Sequence, residues 1–444
     1  MENPPAMKHV VIVGGGFAGF HCARKLSSHR DVRITLIDKN NYQQFQPLLY
    51  QVAAGFLSPS SVGFSLRNML VPHPSVEVKL DEVVSADLNT RTVTTSHGIS
   101  YEGDYLVLAA GSQANFFGTP GAEQHAYPLY SLHDAELLRS RILAVLEAAD
   151  RDTSLIEKGA LNFVLVGAGA TGTELAGILG DMMQNPLKLE FPNVPFEQAG
   201  IHLVDMGHSV LSAFSPKAQN YAADKLAERG VTLHLGRAVK EIGPGHVLLS
   251  DGTRIQTHTV VWAGGLRASN LSGNLGIRAG HGGRVDVQPD FTVEGLPRVY
   301  ALGDFANIRG NDGKPLPQLA SVAEQAGKWC AKNIAADIEG APRKPFEYLD
   351  KGIMAMIGRK AAVAEVGPHR HDLQGAIAFA AWLGVHAALL TSTRAKMETF
   401  VDWAWDYFSK VRADEMLDRF HEGEIDWNAD LPSEKAPANS ANPS

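Results

Sequence analysis

Two glycine-rich segments with the spacing G-x-G-x-x-G are the residues of this chain best suited to holding a charged cofactor. Their glycines are Gly14, Gly16 and Gly19 in the first segment, and Gly167, Gly169 and Gly172 in the second. In this motif the first glycine permits a tight turn, the second lets backbone approach a pyrophosphate, and the third lets a helix pack on a strand. Two such segments predict two dinucleotide sites, one for a resident flavin and one for a transient nicotinamide.

An acidic residue follows each motif at the end of an apolar run, Asp38 after the first and Asp205 after the second. A carboxylate at this position accepts a hydrogen bond from a ribose hydroxyl. Asp205 also favours a free 2′-hydroxyl over a 2′-phosphate, which predicts NADH rather than NADPH as the second dinucleotide.

Three further sets of residues could lie against these cofactors. Glu174 follows the second motif, and its position is open to two interpretations: a first-turn carboxylate favoured by the helix dipole, or a carboxylate between nicotinamide and flavin. Ala110 and Gly111 end an apolar run on small residues, which would let backbone approach a cofactor. Gly303 and Asp304 end another, where the carboxylate could accept a hydrogen bond from a ribityl hydroxyl.

The elements that must position these residues follow from the apolar pattern. Residues 10–13, 32–37, 105–108, 162–166 and 201–204 are short apolar runs typical of buried strands, and helical patterns follow both glycine motifs. Residues 76–78 and 91–95 predict a small antiparallel excursion, and 353–358 with 361–366 a pair of strands. The amides and aromatics of 40–59 are more typical of a loop lining a pocket than of a packed helix, the alternative being a short amphipathic connector.

Composition restricts the class of protein. The chain has 444 residues, 45% of them apolar, which suits an α/β protein of two to three domains. The formal charge of −8 argues against nucleic acid as a partner. The two cysteines, Cys22 and Cys330, exclude a disulfide scaffold and weaken a dithiol redox mechanism. The first residues lack the pattern of a signal peptide, so we expect a cytoplasmic active site.

The C-terminal part has a different character. Residues 373–393 carry no acidic or basic side chain apart from His386, and the next stretch places Trp403, Trp405, Tyr407 and Phe408 among basic residues. Aromatic and basic side chains together favour a helix lying in the headgroup region of a membrane, without a true span. The alternative is an aromatic core or dimer helix. From residue 426 onward the composition predicts a disordered tail.

These segments together resemble type II NADH:quinone oxidoreductase, the single-subunit NADH dehydrogenase that pumps no protons. The similarity lies in residues 45–53, 57–59, 110–112, 171–177, 261–265, 350–352 and 357–359 and in the aromatic C-terminal helices. The resemblance implies an α/β fold with two Rossmann-like domains and a C-terminal membrane-associating helical segment. It also implies tightly bound, non-covalent FAD, NADH as substrate, electron transfer to a membrane quinone, peripheral attachment to the cytoplasmic face of the cell membrane, and a homodimer.

Carried onto this sequence, the resemblance assigns roles to individual residues. FAD would be held by the first motif with Asp38 and Lys39, with Pro47 and Gln51 near its isoalloxazine and Asp304 on its ribityl chain. NADH would be held by the second motif with Asp205 and Gly264. Glu174 would orient the nicotinamide or relay a proton, and Lys351 would stabilise charge on the reduced flavin.

One departure from the family concerns the quinone site. The family helix reads A-Q-x-A-x-Q-Q, whereas here Ala320 is followed by Ser321, Gln325 is retained and Ala326 replaces the last glutamine. Ala320, Ser321 and Gln325 remain the quinone-site candidates, but the acceptor stays open. Rival interpretations are a sulfide:quinone oxidoreductase, which needs paired redox cysteines, a soluble NADH:acceptor reductase, and a redox-sensing flavoprotein that binds NADH.

The predicted domain organisation follows from these assignments. We expect a FAD-binding domain in two parts, residues 7–125 and 289–345, with a NADH-binding domain at 126–288 between them. Residues 346–425 would form the C-terminal strands and amphipathic membrane-attachment helices, and 426–444 the tail.

Overall fold

The computed structural model describes residues 7–276, 279–367, 369–390, 393–409 and 425–429. Within these residues the helices are α1 Phe17–Leu26, α2 Leu49–Ala53, α3 Pro59–Val62, α4 Leu66–Leu70, α5 Ala122–His125, α6 Leu132–Arg151, α7 Ala170–Gln184, α8 Pro186–Glu190, α9 Pro216–Ala227, α10 Ala320–Ile338, α11 Gly375–Leu389 and α12 Thr393–Ser409.

The strands in the same part of the chain are β1 Lys8–Val13, β2 Val32–Asp38, β3 Tyr42–Gln44, β4 Gly63–Ser65, β5 Val76–Leu80, β6 Val83–Asp87, β7 Thr92–Thr95, β8 Ser100–Glu102, β9 Tyr105–Leu108, β10 Ser112–Ala114, β11 Ala126–Pro128, β12 Asn162–Val166, β13 Gly200–Asp205, β14 Val231–Leu235, β15 Val239–Gly243, β16 His246–Leu249, β17 Arg254–Gln256, β18 Thr259–Trp262, β19 Leu266–Ala268, β20 Val285–Asp286, β21 Thr292–Val293, β22 Leu296–Ala301, β23 Ala306–Asn307, β24 Gly352–Gly358, β25 Ala361–Val366 and β26 His371–Gln374.

The first large sheet has the strand order β21-β22-β9-β1-β2-β5. Five of its six strands, β22 to β5 in this order, are parallel, with Val10 aligned to Ile34 on one side and to Tyr105 on the other. Since β1 is enclosed on both faces, Val10 to Val13 are all buried, as their apolar types require. The sheet joins strands from both predicted parts of the FAD-binding domain, because β21 and β22 come from beyond residue 289.

The second large sheet has the order β11-β18-β12-β13-β14, all parallel. Both sheets reverse their strand order beside the strand that precedes a glycine motif, between β1 and β9 in the first and between β12 and β18 in the second. Ligands of open α/β sheets bind at the carboxyl ends of the strands at such a reversal. Strands β10 and β19 form a separate antiparallel ribbon, in which a strand that follows the first large sheet pairs with one that follows the second.

The structure corrects two expectations about the N-terminal half. Residues 76–80 are not part of an antiparallel excursion, because β5 pairs in parallel with β2 at the edge of the first sheet. The excursion consists of β6, β7 and β8. Residues 49–53 are not a loop but the helix α2, and all five are buried. The helix is buried on every side, with Gln51 satisfied by hydrogen bonds inside the protein, so the amphipathic pattern that marks a half-exposed helix is absent.

The two cysteines lie together although they are far apart in sequence. Cys22 on α1 and Cys330 on α10 are both fully buried free thiols where these helices pack closely. Gly327 makes this close packing possible, because a side chain at this position would meet the Ala18 carbonyl oxygen at 2.2 Å. Burial, and then the neighbouring Cys22, raise the pKa of Cys330 well above its usual range. Cys330 is therefore kept protonated, which removes the thiolate that redox chemistry at this residue needs.

The C-terminal part begins with the predicted pair of strands, β24 and β25, which are antiparallel and are joined by β26. Helices α11 and α12 follow. No helix among the described residues is long and apolar enough to cross a membrane. Residues 425–429, at the start of the predicted tail, are ordered: the Trp427 ring lies 4.7 Å from His258, and Asn428 accepts a hydrogen bond from Lys158. The remainder of the tail lies outside the described residues.

Candidate active site: two dinucleotide cradles joined by a buried cluster

The first glycine motif forms the turn between β1 and α1. Gly14 has φ +98°, and a side chain there would meet the Ala109 carbonyl oxygen at 2.2 Å. A side chain on Gly19 would meet the Gly14 carbonyl oxygen at 1.9 Å. These two glycines are therefore required by the protein's own backbone. Ala110 and Gly111 follow β9 at the same reversal of strand order, which brings them beside the motif.

Neither of these reasons explains why position 16 is a glycine. Its φ of −68° is available to any residue, and a Cβ added there would meet no protein atom within 4 Å. The lack of a side chain is thus explained neither by backbone conformation nor by packing, and it leaves space for a ligand. Gly16 also begins α1 without a side-chain cap, so free backbone N–H groups face this space. Such an N-terminus favours a phosphate.

Asp38 ends β2 beside this turn. Its Oδ2 accepts a hydrogen bond from the Gly15 N–H at 2.5 Å and its Oδ1 accepts one from the Asn40 N–H at 2.7 Å. Burial raises the pKa of Asp38, and these two hydrogen bonds and the charge of Lys39 act against that rise. Each carboxylate oxygen keeps a free lone pair, which a ribose hydroxyl could use.

The second motif repeats this geometry between β12 and α7. Gly167 has φ +105° and lies against Ala263 and Gly264, and a side chain on Gly172 would meet the Gly167 carbonyl oxygen at 1.9 Å. Gly169, like Gly16, has an ordinary φ of −71° and open space where its Cβ would be. Asp205 repeats the role of Asp38, because it accepts hydrogen bonds from Ala168 N–H and Gly207 N–H, each at 2.6 Å.

Asp304 lies in a 3-10 turn that follows β22. The hydroxyls of Ser112 and Tyr130 donate hydrogen bonds to its Oδ2 at 2.9 and 3.3 Å. Burial raises the pKa of Asp304. Gly303 precedes it and packs against Ala18 at the start of α1. We call the turn of the first glycine motif with Asp38 the first cradle, and the turn of the second motif with Asp205 the second cradle. The structure thus brings Gly303 and Asp304, predicted from a distant segment, to the first cradle.

Glu174 lies in the second turn of α7 and is 7% exposed. Its Oε1 accepts a hydrogen bond from the Met356 N–H of β24 at 3.1 Å. Burial raises the pKa of Glu174 to about 8, although the Met356 N–H and the Trp382 side chain favour the charged form. A carboxyl group with this pKa holds a proton at neutral pH. Glu174 lies beyond the first turn of α7, which argues against the helix-dipole interpretation, and its role beside the cofactors stays a prediction.

Gln51 and its neighbours connect α2 to the C-terminal helices. The Gln51 amide donates a hydrogen bond to the Tyr50 hydroxyl at 3.0 Å and accepts one from Trp403 Nε1 at 2.7 Å. Trp382 lies 5.6 Å from Trp403 and stacks on His386 with ring centroids 4.0 Å apart. We call Tyr50, Gln51, Glu174, Met356, Trp382, His386 and Trp403 the junction cluster.

The junction cluster contains residues that the sequence analysis did not single out as site candidates. Burial lowers the pKa of His386 to about 4, so its ring is neutral, and its Nδ1 donates a hydrogen bond to the Trp382 carbonyl at 2.9 Å. The i, i+4 spacing of Trp382 and His386 in an otherwise uncharged helix was the available signal. Pro47, predicted near the flavin, lies in the 3-10 turn just before α2.

The predicted quinone residues have other partners in this structure. Both ends of the Gln325 amide bind backbone atoms of Leu349 at 3.0 Å, and the Ser321 hydroxyl lies 3.0 Å from the Tyr348 hydroxyl. Ala320 begins α10 without a side-chain cap. The segment 348–351, which we call the strap, is thereby fastened to α10. Lys351 at its end is exposed, and its charge acts on Glu324 rather than on Glu174.

Fold and paired cradles define the broad class of protein. A family model described as pyridine nucleotide-disulphide oxidoreductase matches residues 8–327. A solved structure of NDH2 from Plasmodium falciparum in complex with NADH has the same fold, with a TM-score of 0.84, 19% identity, and coverage of 92% of this chain and 99% of that one. The sulfide:quinone oxidoreductase from Aquifex aeolicus shares the fold at a TM-score of 0.71 and 20% identity, covering 91% of this chain and 96% of that one.

Sequence relatives narrow the class. The type II NADH:quinone oxidoreductase Ndh of Mycobacterium tuberculosis is 35% identical over 92% of this chain and 90% of its own length. The type II NADH:quinone oxidoreductase of Staphylococcus saprophyticus is 30% identical, covering 83% of this chain and 91% of that protein. The chain belongs to the type II NADH:quinone oxidoreductase family, and the resemblance predicted from its sequence is confirmed.

Proposed function

We propose that the chain binds FAD in the first cradle and NADH in the second, and that it passes electrons from NADH to a membrane quinone without pumping protons. The observation that carries this proposal is the pair of central glycines, Gly16 and Gly169, each with an ordinary backbone and empty space at its Cβ position. A chain that used these turns only for folding would have no reason to omit a side chain at both.

The first cradle fits FAD in its shape and its polar groups. The N-terminus of α1 offers free N–H groups to a pyrophosphate, and Asp38 offers carboxylate oxygens to a ribose. Asp304 is a half-buried carboxylate of raised pKa that can bind a ribityl hydroxyl. The chemistry that bound FAD supplies is acceptance of a hydride from NADH and delivery of two electrons to a quinone.

Glu174 holds a proton beside the start of the second cradle. Because its pKa is raised to about 8, the carboxyl group is mostly protonated at neutral pH and can donate a hydrogen bond through its O–H. Its Oε1 stays fixed by the Met356 N–H. We assign Glu174 the role of orienting the nicotinamide or relaying a proton. Lys351 supplies a positive charge from the exposed end of the strap, which would stabilise negative charge on the reduced flavin.

We place the proposed quinone-binding site at the first turns of α10. Both ends of the Gln325 amide are hydrogen-bonded to the strap. Gln325 therefore positions Lys351 and has no free amide group for a quinone headgroup. The hydroxyls of Ser321 and Tyr348 bind one another and retain hydrogen-bonding capacity. Ser321 stands at one of the two positions where the family carries a glutamine, and Ala326 leaves the other without a polar group.

Helices α11 and α12 are the proposed membrane-attachment surface. Their exposed apolar side chains are Ile377, Val385, Leu389, Met397, Phe400, Val401 and Trp405. A row of exposed aliphatic and aromatic side chains beside lysine is suited to the headgroup region of a bilayer. Lys410 and Arg412, two of the basic residues that follow these aromatic side chains in the sequence, lie outside the described residues. Attachment to the cytoplasmic face and assembly as a homodimer rest on the resemblance and stay predictions.

The test is anaerobic stopped-flow absorbance of the detergent-purified protein near about 450 nm, where oxidised flavin absorbs. NADH is mixed in first and a short-chain quinone second. Fast bleaching followed by quinone-driven recovery supports the proposal. Bleaching without recovery would leave the NADH half standing and favour a soluble acceptor or a protein partner. Bleaching by sulfide instead of NADH would overturn the proposal.

A further inference from the structure

The segment that follows β10 is fastened to the carboxyl end of β18. The Asn115 N–H donates a hydrogen bond to the Gly265 carbonyl at 3.0 Å, and Trp262 Nε1 donates one to the Asn115 carbonyl at 2.8 Å. The Phe116 ring packs on Trp262 with centroids 5.4 Å apart. Phe117 comes next and faces away from this contact, because its side chain is 61% exposed.

Phe117 has an unusual backbone conformation. Its φ of +52° is in the left-handed region, which bulky side chains avoid. The Asn115 side chain accepts a hydrogen bond from the Phe117 N–H at 3.0 Å and stabilises this conformation. Among the other described non-glycine residues with positive φ, Leu211 and Phe291 are buried, and the rest are arginines or a lysine. Phe117 therefore combines strain with an exposed apolar ring, and burial in the protein does not offset the strain.

The ring lies at the edge of the second cradle. A Cβ on Gly265 would meet the Phe117 ring at 2.8 Å, so the ring covers the open side of Gly265. Gly265 follows Gly264, whose Cα lies 2.7 Å from where a Gly167 side chain would begin. Phe117 thus borders the crevice between β12 and β18, where the strand order of the second sheet reverses.

The direction of a bound dinucleotide follows from the strand order. Asp205, the ribose acceptor, ends β13 on one side of β12, whereas Gly264 and Gly265 follow β18 on the other side. A dinucleotide with its pyrophosphate at Gly169 and its adenosine at Asp205 extends its nicotinamide half past β18. That half arrives beside the Phe117 ring.

We propose that Phe117 is an NADH-contact residue whose ring packs against the nicotinamide nucleotide half of the substrate. The inference rests on the proposed NADH site and adds to it a residue outside the glycine motif. Contact with the flat nicotinamide and its ribose buries the exposed ring, and the binding energy offsets the strained backbone. The strain is retained because it holds the ring over the crevice.

The test compares Phe117→Ala and Phe117→Gly with Leu189→Ala, which shortens another exposed apolar side chain on α8. Anaerobic flavin reduction is followed across a range of NADH concentrations, quinone-driven reoxidation is measured separately, and the melting temperature is recorded. We expect the NADH concentration for half-maximal reduction to rise about fivefold in both Phe117 variants, because each loses one aromatic contact with NADH. Quinone reoxidation should match the wild type, as should all properties of Leu189→Ala.

The melting temperature distinguishes the loss of a contact with NADH from a loss of protein stability. Phe117→Gly removes the strain of a positive φ, so its melting temperature should equal or exceed that of the wild type while NADH binds more weakly. An unchanged NADH dependence in both variants would overturn the inference, as would weaker NADH binding that appears only together with a fall in melting temperature. If the wild type is not reduced by NADH at all, the proposed function itself fails.

Discussion

Replacing Glu174 by glutamine should flatten the dependence of protein stability on pH. Below pH 4.5, the ordinary value of the pKa, this carboxyl group is protonated in both the folded and the unfolded chain. Between pH 4.5 and about 8 the unfolded chain loses the proton and the folded chain keeps it. The unfolded state then binds fewer protons, so the stability of the wild type falls as pH rises through this window and levels off above it.

The size of the effect follows from the shift. Moving the pKa from 4.5 to about 8 corresponds to about 5 kcal/mol of lost stability across the window. For a chain of 444 residues, about 1 kcal/mol changes the melting temperature by about 1 °C. The wild type should therefore lose about 5 °C more than the Glu174→Gln variant between pH 4.5 and pH 8.5. Glutamine keeps an oxygen that can accept the Met356 N–H, so the local geometry is preserved.

The assay is differential scanning fluorimetry of the flavin-saturated protein at constant ionic strength, in steps of pH. Glu77→Gln is the matched control, because Glu77 is a surface residue beside Lys79 with no comparable burial. Its curve should run parallel to that of the wild type. Parallel curves for the wild type and Glu174→Gln would refute the reasoning, since they would mean that Glu174 is charged in the folded protein.

Three further predictions use other parts of the structure. Gly169→Ala should weaken NADH binding about tenfold or more with an unchanged melting temperature, whereas Gly172→Ala should reduce the yield of folded protein, because its Cβ would overlap the Gly167 backbone; equal behaviour of the two in binding and in melting would contradict the distinction. Gln325→Ala should cost about 1 kcal/mol of stability by freeing the strap, and slow quinone reoxidation while flavin reduction by NADH stays normal; slowed reduction by NADH would count against this. The double change of Phe400 and Trp405 to serine should lower co-flotation with anionic phospholipid vesicles and leave reduction by NADH unchanged; full retention on vesicles would argue against attachment through α12.

The sequence was sufficient for the parts of the site that depend on local structure. Each glycine motif lies between a strand and the next helix, and Asp38 and Asp205 end the following strands of their sheets, as the spacing predicts. These features depend on short-range backbone geometry, so a glycine or an acidic residue at a fixed distance along the sequence from the strand is enough to predict them. Gly16 and Gly169 are examples, because the motif alone marks them as points of ligand approach.

The contacts of Glu174, Gln51 and Gln325 could not be predicted in the same way. The partner of Glu174 is Met356, that of Gln51 is Trp403, and that of Gln325 is the strap. The first two join residues that are far apart in sequence and bring the C-terminal part onto the cradles. Such pairings depend on how whole elements dock, and amphipathic periodicity within one element carries no information about them.

The junction cluster gives a physical reason for the C-terminal part to be more than an anchor. Strand β24 supplies the N–H that holds Glu174, and α12 supplies the indole that holds Gln51. Burial raises the pKa of Glu174, whose hydrogen-bond partners are Met356 of β24 and Trp382 of α11. The same α12 carries the exposed Phe400 and Trp405. Helix α12 carries part of the proposed membrane-attachment surface and also contacts Gln51 and Trp382 through Trp403, so displacement of α11 and α12 together would expose the cluster to water. The pKa of Glu174 would then return toward its ordinary value, so its proton at neutral pH depends on the C-terminal part being docked.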